Sequence, residues 1–282
     1  MKLKKISLIV IMLGIMLSIL SCANHPKQLI AANKFSFSQE NTVIWIGHAT
    51  TLFKINGLVF ITDPVLTDCL TVLKRKNRLG LKRTQLPNID VILISHAHID
   101  HFHKNTLKSM PKNTKIILPS ALVAEARALG FNQVYGMTQG ETVQLGAIKI
   151  IAKPVKHAVP SLSYVIEGNK TIYFGGDSAY FDGYKTIGQD YKIDMALLPI
   201  GPIHAESLKA HHLTPAQAIT AFNDLRALAV LPIHHSTFRQ GPAMLWPFFD
   251  IADEINIFKQ LLLRNGLLQY AAIVKPGVEV SF

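Results

Sequence analysis

Cysteine is nearly absent from this sequence: Cys22 and Cys69 are the only two in 282 residues. A disulfide-stapled scaffold and a four-thiolate metal cage are both excluded, so the fold has to stand on an apolar core. Acids are scarce beside bases, 18 Asp and Glu against 29 Lys and Arg, for a formal net charge of +11. That excess is compatible with anionic lipid headgroups or phosphorylated substrates. No arginine-rich run and no nucleic-acid motif accompanies it, so nucleic acid is not an expected partner. A spanning apolar run is missing as well: residues 6–20 hold 15 residues, short of the ~20 that a membrane-crossing helix needs.

That N-terminal run has the layout of a targeting segment, with Lys2, Lys4 and Lys5 before it and Ser21-Cys22 after it. Without those lysines the net charge is +8. The ending Ile19-Leu20-Ser21-Cys22 resembles the lipobox of bacterial lipoproteins. The resemblance implies a signal peptide over residues 1–21, lipidation of Cys22, and a protein held at a membrane of the cell envelope, outside the cytoplasm. An uncleaved signal anchor is the alternative. Residues 22–40 show little apolar periodicity and read as a tether, which leaves 41–282 as the folded domain. If Cys22 carries lipid, Cys69 remains a lone structural thiol and no internal disulfide forms.

What is present is concentrated in one stretch, Ser95-His96-Ala97-His98-Ile99-Asp100-His101. It follows the apolar, β-branched run 91–94, which reads as a buried strand delivering the cluster to its end. Alternation along an extended chain aims His96 and His98 to one side, and a turn through Ile99 lets Asp100 and His101 reach a second point nearby. One loop can thus serve two metal ions. Nitrogen and carboxylate donors without thiolate suit zinc, with iron or manganese also compatible.

With 49% hydrophobic residues the chain can bury a sizeable core. Strands are expected at 42–46, 51–55 and 58–61, with Asn56-Gly57 as a hairpin turn between the last two. A basic stretch at 74–83 reads as a solvated loop. Further strands are expected at 116–118, 141–145, 147–152 and 194–198, with a second hairpin joining 162–167 to 170–174 across Gly168-Asn169. Ser120 is placed to cap a helix through Leu129, and Thr214-Pro215-Ala216-Gln217 forms a capping-box start. Asp250 is placed to cap an amphipathic helix through Arg264. Stacked sheets with helices outside follow, an α/β sandwich. His157, Asp177 and the pair His234 and His235 stand at strand ends like that of the first cluster, so donors far apart in sequence can converge on one sheet edge.

The order of these pieces resembles the metallo-β-lactamase-fold hydrolases over residue 41 to the C-terminus. The matching segments are Trp45-Ile46-Gly47-His48-Ala49-Thr50, Thr62-Asp63-Pro64, residues 94–101, Gly175-Gly176-Asp177-Ser178, Leu198-Pro199-Ile200-Gly201, His212-Leu213-Thr214-Pro215 and Ile233-His234-His235-Ser236-Thr237-Phe238. Within that superfamily the chain looks most like the branch of N-acylphosphatidylethanolamine-hydrolysing phospholipase D and its bacterial relatives. The resemblance implies a four-layer αββα sandwich and two divalent metal ions, zinc first. It gives His96, His98 and His157 to one ion, Asp100, His101 and His234 to the other, and Asp177 as the bridge. His235 is left to line the pocket, and Asp63 to orient a metal-bound imidazole. The pattern departs after His157, where Ala158-Val159-Pro160-Ser161 replaces the family's tryptophan and arginine.

The implied chemistry is attack by a metal-bound hydroxide, with Asp100 or Asp177 to orient it, on a phosphodiester of a phospholipid-like substrate. A lactone or ester hydrolase with the same metals is the enzymatic alternative, and an envelope lipoprotein with a structural metal site is the non-enzymatic one. The membrane lipid would be both anchor surface and substrate. His48 is placed either at the pocket rim or in the core, and His212 is a substrate-contact candidate beside a helix N-terminus. His103, His204 and His211 are expected to face solvent. The apolar group at 241–249 reads as core packing, or as a wall for an acyl chain.

Overall fold

The computed structural model describes residues 33–71, 73–201, 211–235, 237–238 and 253–282. Its first half runs through β1 (Thr42–Gly47), β2 (Thr50–Ile55), β3 (Leu58–Thr62), the short pair β4 (Cys69–Leu70) and β5 (Leu73–Lys74), then β6 (Val91–Leu93), α1 (Lys104–Lys108), β7 (Lys115–Pro119), α2 (Val123–Ala128) and β8 (Gln133–Met137). The second half runs through β9 (Thr142–Leu145), β10 (Ile148–Lys153), β11 (Ser163–Glu167), β12 (Thr171–Phe174), α3 (Gly183–Asp190), β13 (Met195–Pro199), α4 (Pro215–Asp224), β14 (Ala229–Ile233), α5 (Glu254–Arg264) and β15 (Glu279–Ser281). The strands form one sheet in the order β15-β1-β2-β3-β6-β7-β8 and another in the order β14-β13-β12-β11-β10-β9.

Burial on both faces explains why these strands read as continuous apolar runs. Along β1, Val43 and Trp45 enter the core between the sheets, while Ile44 and Ile46 point into the core under α1 and α2. On the far side, Tyr184 of α3, Phe222 of α4 and Phe258 of α5 pack on the outer face of the second sheet. The result is the expected four-layer αββα sandwich. Phe53 and Phe60 stack across β2 and β3 at 4.9 Å inside the central core; full burial of each such ring is worth about 1.5–3 kcal/mol.

The hairpin signals hold at the level of the backbone. Asn56 and Gly57 both take positive φ, 47° and 76°, as a type I′ turn demands. Residues 168–170 connect the antiparallel β11 and β12. Thr214 caps α4 by accepting from the Gln217 N–H, and Gln217 reaches back to the Thr214 N–H, with Pro215 at the first helical position.

Several expectations need correction. Ser120 opens a 3-10 turn over Ser120–Leu122 and makes no side-chain cap; the α-helix begins only at Val123. The cap of α5 is Asp253, which accepts from the Asn256 N–H, three residues beyond the position expected from Asp250. The stretch 74–83 is not simply solvated: Arg75 is buried, its Nη2 donating to the Val65 carbonyl at 2.9 Å, and Leu81 joins the core. Within residues 33–40, Phe35 and Phe37 pack on the core and the Phe35 N–H donates to the Gln85 carbonyl at 2.7 Å.

Cys69 is disulfide-bonded, and no described cysteine is free, in place of the lone thiol expected. One bridge needs only two sulfurs, so scarcity excludes a disulfide framework without excluding a single link. Cys22, the sequence's other cysteine, lies outside the described residues together with the rest of 1–32, His204 and 239–252. Among the described residues no helix is long and apolar enough to cross a membrane.

Candidate metal centre

Parallel pairing brings several strand ends to one edge. β3, β6, β7 and β8 run parallel in the first sheet, and β12, β13 and β14 run parallel in the second. Asp63 follows β3, the His-rich loop follows β6, Asp177 follows β12, Gly201 follows β13 and His234 follows β14. This is the end of a parallel sheet where open α/β folds place their sites. The two sheets are tied together there by the Tyr164 hydroxyl donating to the Ile94 carbonyl at 2.8 Å and the Leu162 N–H donating to the Ser95 carbonyl at 2.9 Å. Gly176 has φ +56°, and a Cβ there would lie 2.5 Å from the Ser95 Cβ, so the close approach requires glycine.

Two four-residue donor groups result, each with its atoms within 4.8 Å of one another, His96, His98, His157 and Asp177, and His48, Asp100, His101 and His234; a third group, Asp177, His212 and His234, overlaps both. In the first, His96 Nε2 lies 2.8 Å and His157 Nε2 3.3 Å from His98 Nδ1. In the second, His101 Nε2 and His234 Nε2 are 3.2 Å apart. Asp177 stands between them: its Oδ2 is 3.8 Å from His96 Nε2 and 3.1 Å from His101 Nε2, and its Oδ1 is 3.3 Å from His234 Nε2.

Four of the imidazoles are oriented from behind. His101 Nδ1 donates to Asp63 Oδ2 at 2.6 Å, and Ser95 donates to both oxygens of the same carboxylate, from its N–H at 2.7 Å and its Oγ at 2.6 Å. With its proton spent on Asp63, Ser95 Oγ accepts from His96 Nδ1 at 2.9 Å. One fully buried carboxylate thus fixes a histidine in each donor group, directly in one and through a hydroxyl in the other. His234 Nδ1 donates to the Gly201 carbonyl at 2.8 Å, and His157 Nδ1 to the His211 carbonyl at 3.0 Å. In the neutral form these assignments turn the lone pairs of His96, His157, His101 and His234 toward the centre.

Acceptors facing acceptors at hydrogen-bond distance are what a cation would reconcile, and Asp177 Oδ1 is buried with no hydrogen bond. The residues present therefore fit divalent metal. Charge on the metal-free cluster follows the same logic. Burial disfavours charge on His234, but Asp177 and Asp100 outweigh it and hold the imidazole up at about 9. His101 is likewise raised well above its ordinary value, against burial, by Asp177, Asp100 and Asp63. Burial opposes ionisation of Asp100 and Asp177 too, and the imidazoles, His101 foremost, nevertheless hold both well below the usual carboxylate range. His96, His98 and His157 are pushed down, chiefly by burial, into neutral ligand form. Protons on His101 and His234 stand where a cation would otherwise balance two carboxylates.

All seven residues named by resemblance, His96, His98, Asp100, His101, His157, Asp177 and His234, come together. His234 enters the cluster, whereas His235 stacks on Trp45 at 4.5 Å and belongs to neither donor group. His212 is buried, with Nε2 3.1 Å from Asp177 Oδ2. His48 is no rim residue: it is buried, and its Nε2 lies 3.1 Å from Asp100 Oδ2. His103 corrects the solvent-facing expectation, since it is buried and its Nδ1 accepts from the Thr106 N–H to cap α1. His211 is half-buried and offers its carbonyl to His157. Ser95 was not singled out in the sequence; its position just before the first histidine was the available signal.

Known proteins are similar to this chain. The family model described as a beta-lactamase superfamily domain matches residues 60–235. The chain belongs to this superfamily. A metal-dependent hydrolase of Nanoarchaeum equitans is 32% identical over 66% of this chain and 89% of its own length. The N-acyl-phosphatidylethanolamine-hydrolyzing phospholipase D 1 of Caenorhabditis elegans is 28% identical over 77% of this chain and 69% of its own. Igni18, a metallo hydrolase of Ignicoccus hospitalis, superposes with a TM-score of 0.68 at 25% identity, covering 86% of this chain and 97% of its own. The chain spans 60% of the length of mycobacterial relatives that it matches at 27% identity. For a member of the beta-lactamase superfamily, the His and Asp cluster lies where strand ends of both sheets meet.

Proposed function

We propose that this superfamily member is a hydrolase using two divalent metal ions, zinc first, to cleave a phosphodiester of an N-acylphosphatidylethanolamine-like phospholipid. The observation that carries the reading is the meeting of two donor groups at Asp177. In this reading His96, His98 and His157 would hold one ion and Asp100, His101 and His234 the other, with Asp177 common to both sites. Such ions, when bound, make a hydroxide nucleophile accessible near neutral pH and polarise a phosphoryl or carbonyl oxygen. Asp63 and Ser95 keep the imidazoles in the tautomer whose lone pair faces the centre. Asp100, whose side chain is 27% exposed, stands at the open side of the cluster, able to accept a proton from an attacking water. His212, buried beside the start of α4, is the candidate contact for a substrate oxygen.

The substrate class rests on the likeness to the nematode phospholipase and on the matching motifs in this chain. A membrane-tethered setting in the cell envelope completes the proposal and brings enzyme and lipid together; lipidation of Cys22 and a bridge from Cys22 to Cys69 are mutually exclusive states. The departure at Ala158-Val159-Pro160-Ser161, directly after His157, favours a second reading in which the same centre opens a lactone or ester. The full chain in detergent, assayed with and without chelator on N-acylphosphatidylethanolamine, bis-p-nitrophenyl phosphate and a lactone and ester panel, separates them. Chelator-sensitive diester cleavage supports the first reading, and ester or lactone turnover alone supports the second. Bound metal without turnover on any substrate would point to a structural site.

A further inference from the structure

We propose that His48 is a positioning residue that fixes the carboxylate of Asp100 through its Nε2–H. The inference rests on Asp100 being a metal ligand, as proposed above. The geometry begins in the backbone. His48 has φ +59°, a left-handed conformation that glycine or asparagine adopts at lower cost than histidine. The surrounding turn enforces it. Gly47 before it has φ +138°, and the β1–β2 register shifts between Trp45 and Gly47. The His48 carbonyl accepts from the Trp45 indole N–H at 2.8 Å and from the His234 backbone N–H at 3.0 Å. The turn is therefore bolted to the residue that supplies a donor of the same group. A strained histidine at such a position signals that its side chain is required.

That side chain reaches one partner. His48 Nε2 lies 3.1 Å from Asp100 Oδ2, while its ring packs 4.0 Å from the His234 ring and 5.4 Å from Phe238. Asp100 needs such a partner more than the other carboxylates do. Asp63 is fully buried and accepts from Ser95 and His101; Asp177 is buried among imidazoles; the Asp100 side chain is 27% exposed, on a turn beside Ile99. A carboxylate free to rotate about its last bond loses affinity and aim, and hydrogen bonds from outside the ligand set are the usual restraint. His48 is also close enough to Asp100, His101 and His234 to serve as a ligand itself. The proposal assigns it the donor's role instead, because Asp100 otherwise has no restraint of this kind among the described contacts.

The test compares His48→Ala and His48→Gln in the full chain, using cobalt and zinc as probes. Glutamine keeps an N–H donor and removes the imidazole. A positioning role predicts that the alanine variant, when saturated, still binds the wild-type number of ions. Its affinity for the more weakly held ion, read by competition with a chromophoric chelator, falls about 10–100-fold. The glutamine variant recovers most of that loss, and the cobalt absorption bands keep their wild-type intensity. On bis-p-nitrophenyl phosphate, kcat should fall in the alanine variant with KM little changed. Loss of one ion from both variants would make His48 a ligand and overturn the proposal. So would wild-type affinity in the alanine variant, or a glutamine variant no better than alanine. The metal readouts stand whatever the substrate proves to be, so failure of the phosphodiesterase reading and failure of this one are separable.

Discussion

Replacing Asp63 by asparagine tests whether one buried carboxylate organises both donor groups. Asparagine is nearly isosteric and keeps one acceptor oxygen, enough for the Ser95 N–H at 2.7 Å. It puts an NH₂ where Oδ2 now accepts from Ser95 Oγ and His101 Nδ1, both at 2.6 Å. Two charge-assisted bonds are lost, each worth roughly 1.5–3 kcal/mol in a buried setting. His101 can recover part of this by moving its proton to Nε2 and accepting from the amide. That rescue turns a lone pair away from the centre and removes a metal donor. The variant should therefore bind metal about 100-fold more weakly, beyond the effect of lost packing alone. A net loss of ~3 kcal/mol should lower the unfolding midpoint of the metal-free protein by about 10 °C. Competition with a chromophoric chelator reads the affinity, and nitrogen-15 shifts of His101 read the tautomer. Wild-type affinity with His101 still protonated at Nδ1 would refute the reasoning.

Three further outcomes follow from the same geometry. Asp177→Ala should abolish chelator-sensitive turnover and lower metal stoichiometry; a metal-replete, active variant would remove the bridging role. Loading the metal-free protein at pH 7 should release about two protons, from His101 and His234, because both are held charged before metal binds. The same two groups give the pH dependence of the metal-free protein. Their folded values are raised, so their contribution is complete below the ordinary 6.5 and lost as pH rises through about 9 for His234. Its melting temperature should therefore fall over that window while metal affinity increases, and a rising melting temperature would contradict the ion-pair account. Cys22→Ala should release the protein from the membrane fraction where its sulfur carries lipid, or leave a new titratable thiol at Cys69 without that release where it closes the bridge. Retention of lipid label after that change would rule out the lipobox reading. A sulfur joined to lipid cannot also join Cys69.

The centre was legible in the sequence because its donors follow short apolar strands, and strand ends converge wherever parallel strands share a sheet. The His96 to His101 stretch carries both donor groups in its alternation, and Asn56-Gly57 carries its turn in the residue types that tolerate positive φ. What stayed hidden depends on partners remote in sequence. Arg75 reads as one more exposed base until the Val65 and Thr67 carbonyls and the Phe238 ring enclose it. β15 is three residues whose only reason to be extended is pairing with β1, as Thr42 with Ser281. β8 completes the edge of the first sheet, and its strand character comes from β7 alongside it. His103 caps a five-residue helix with a ring nitrogen, an acceptor absent from the usual Ser, Thr, Asp and Asn signal. His48 and Ser95 look like neighbours of a motif; their roles appear only when the Asp100 and Asp63 carboxylates are in place.

The most direct measurement of the central claim is the metal content of the full chain purified without added chelator, by elemental analysis. It should be paired with the rate on bis-p-nitrophenyl phosphate before and after metal removal and readdition. Two ions per chain, loss of turnover on removal and its return on readdition are what a centre joined at Asp177 predicts. One ion or none, with turnover indifferent to chelator, would contradict it.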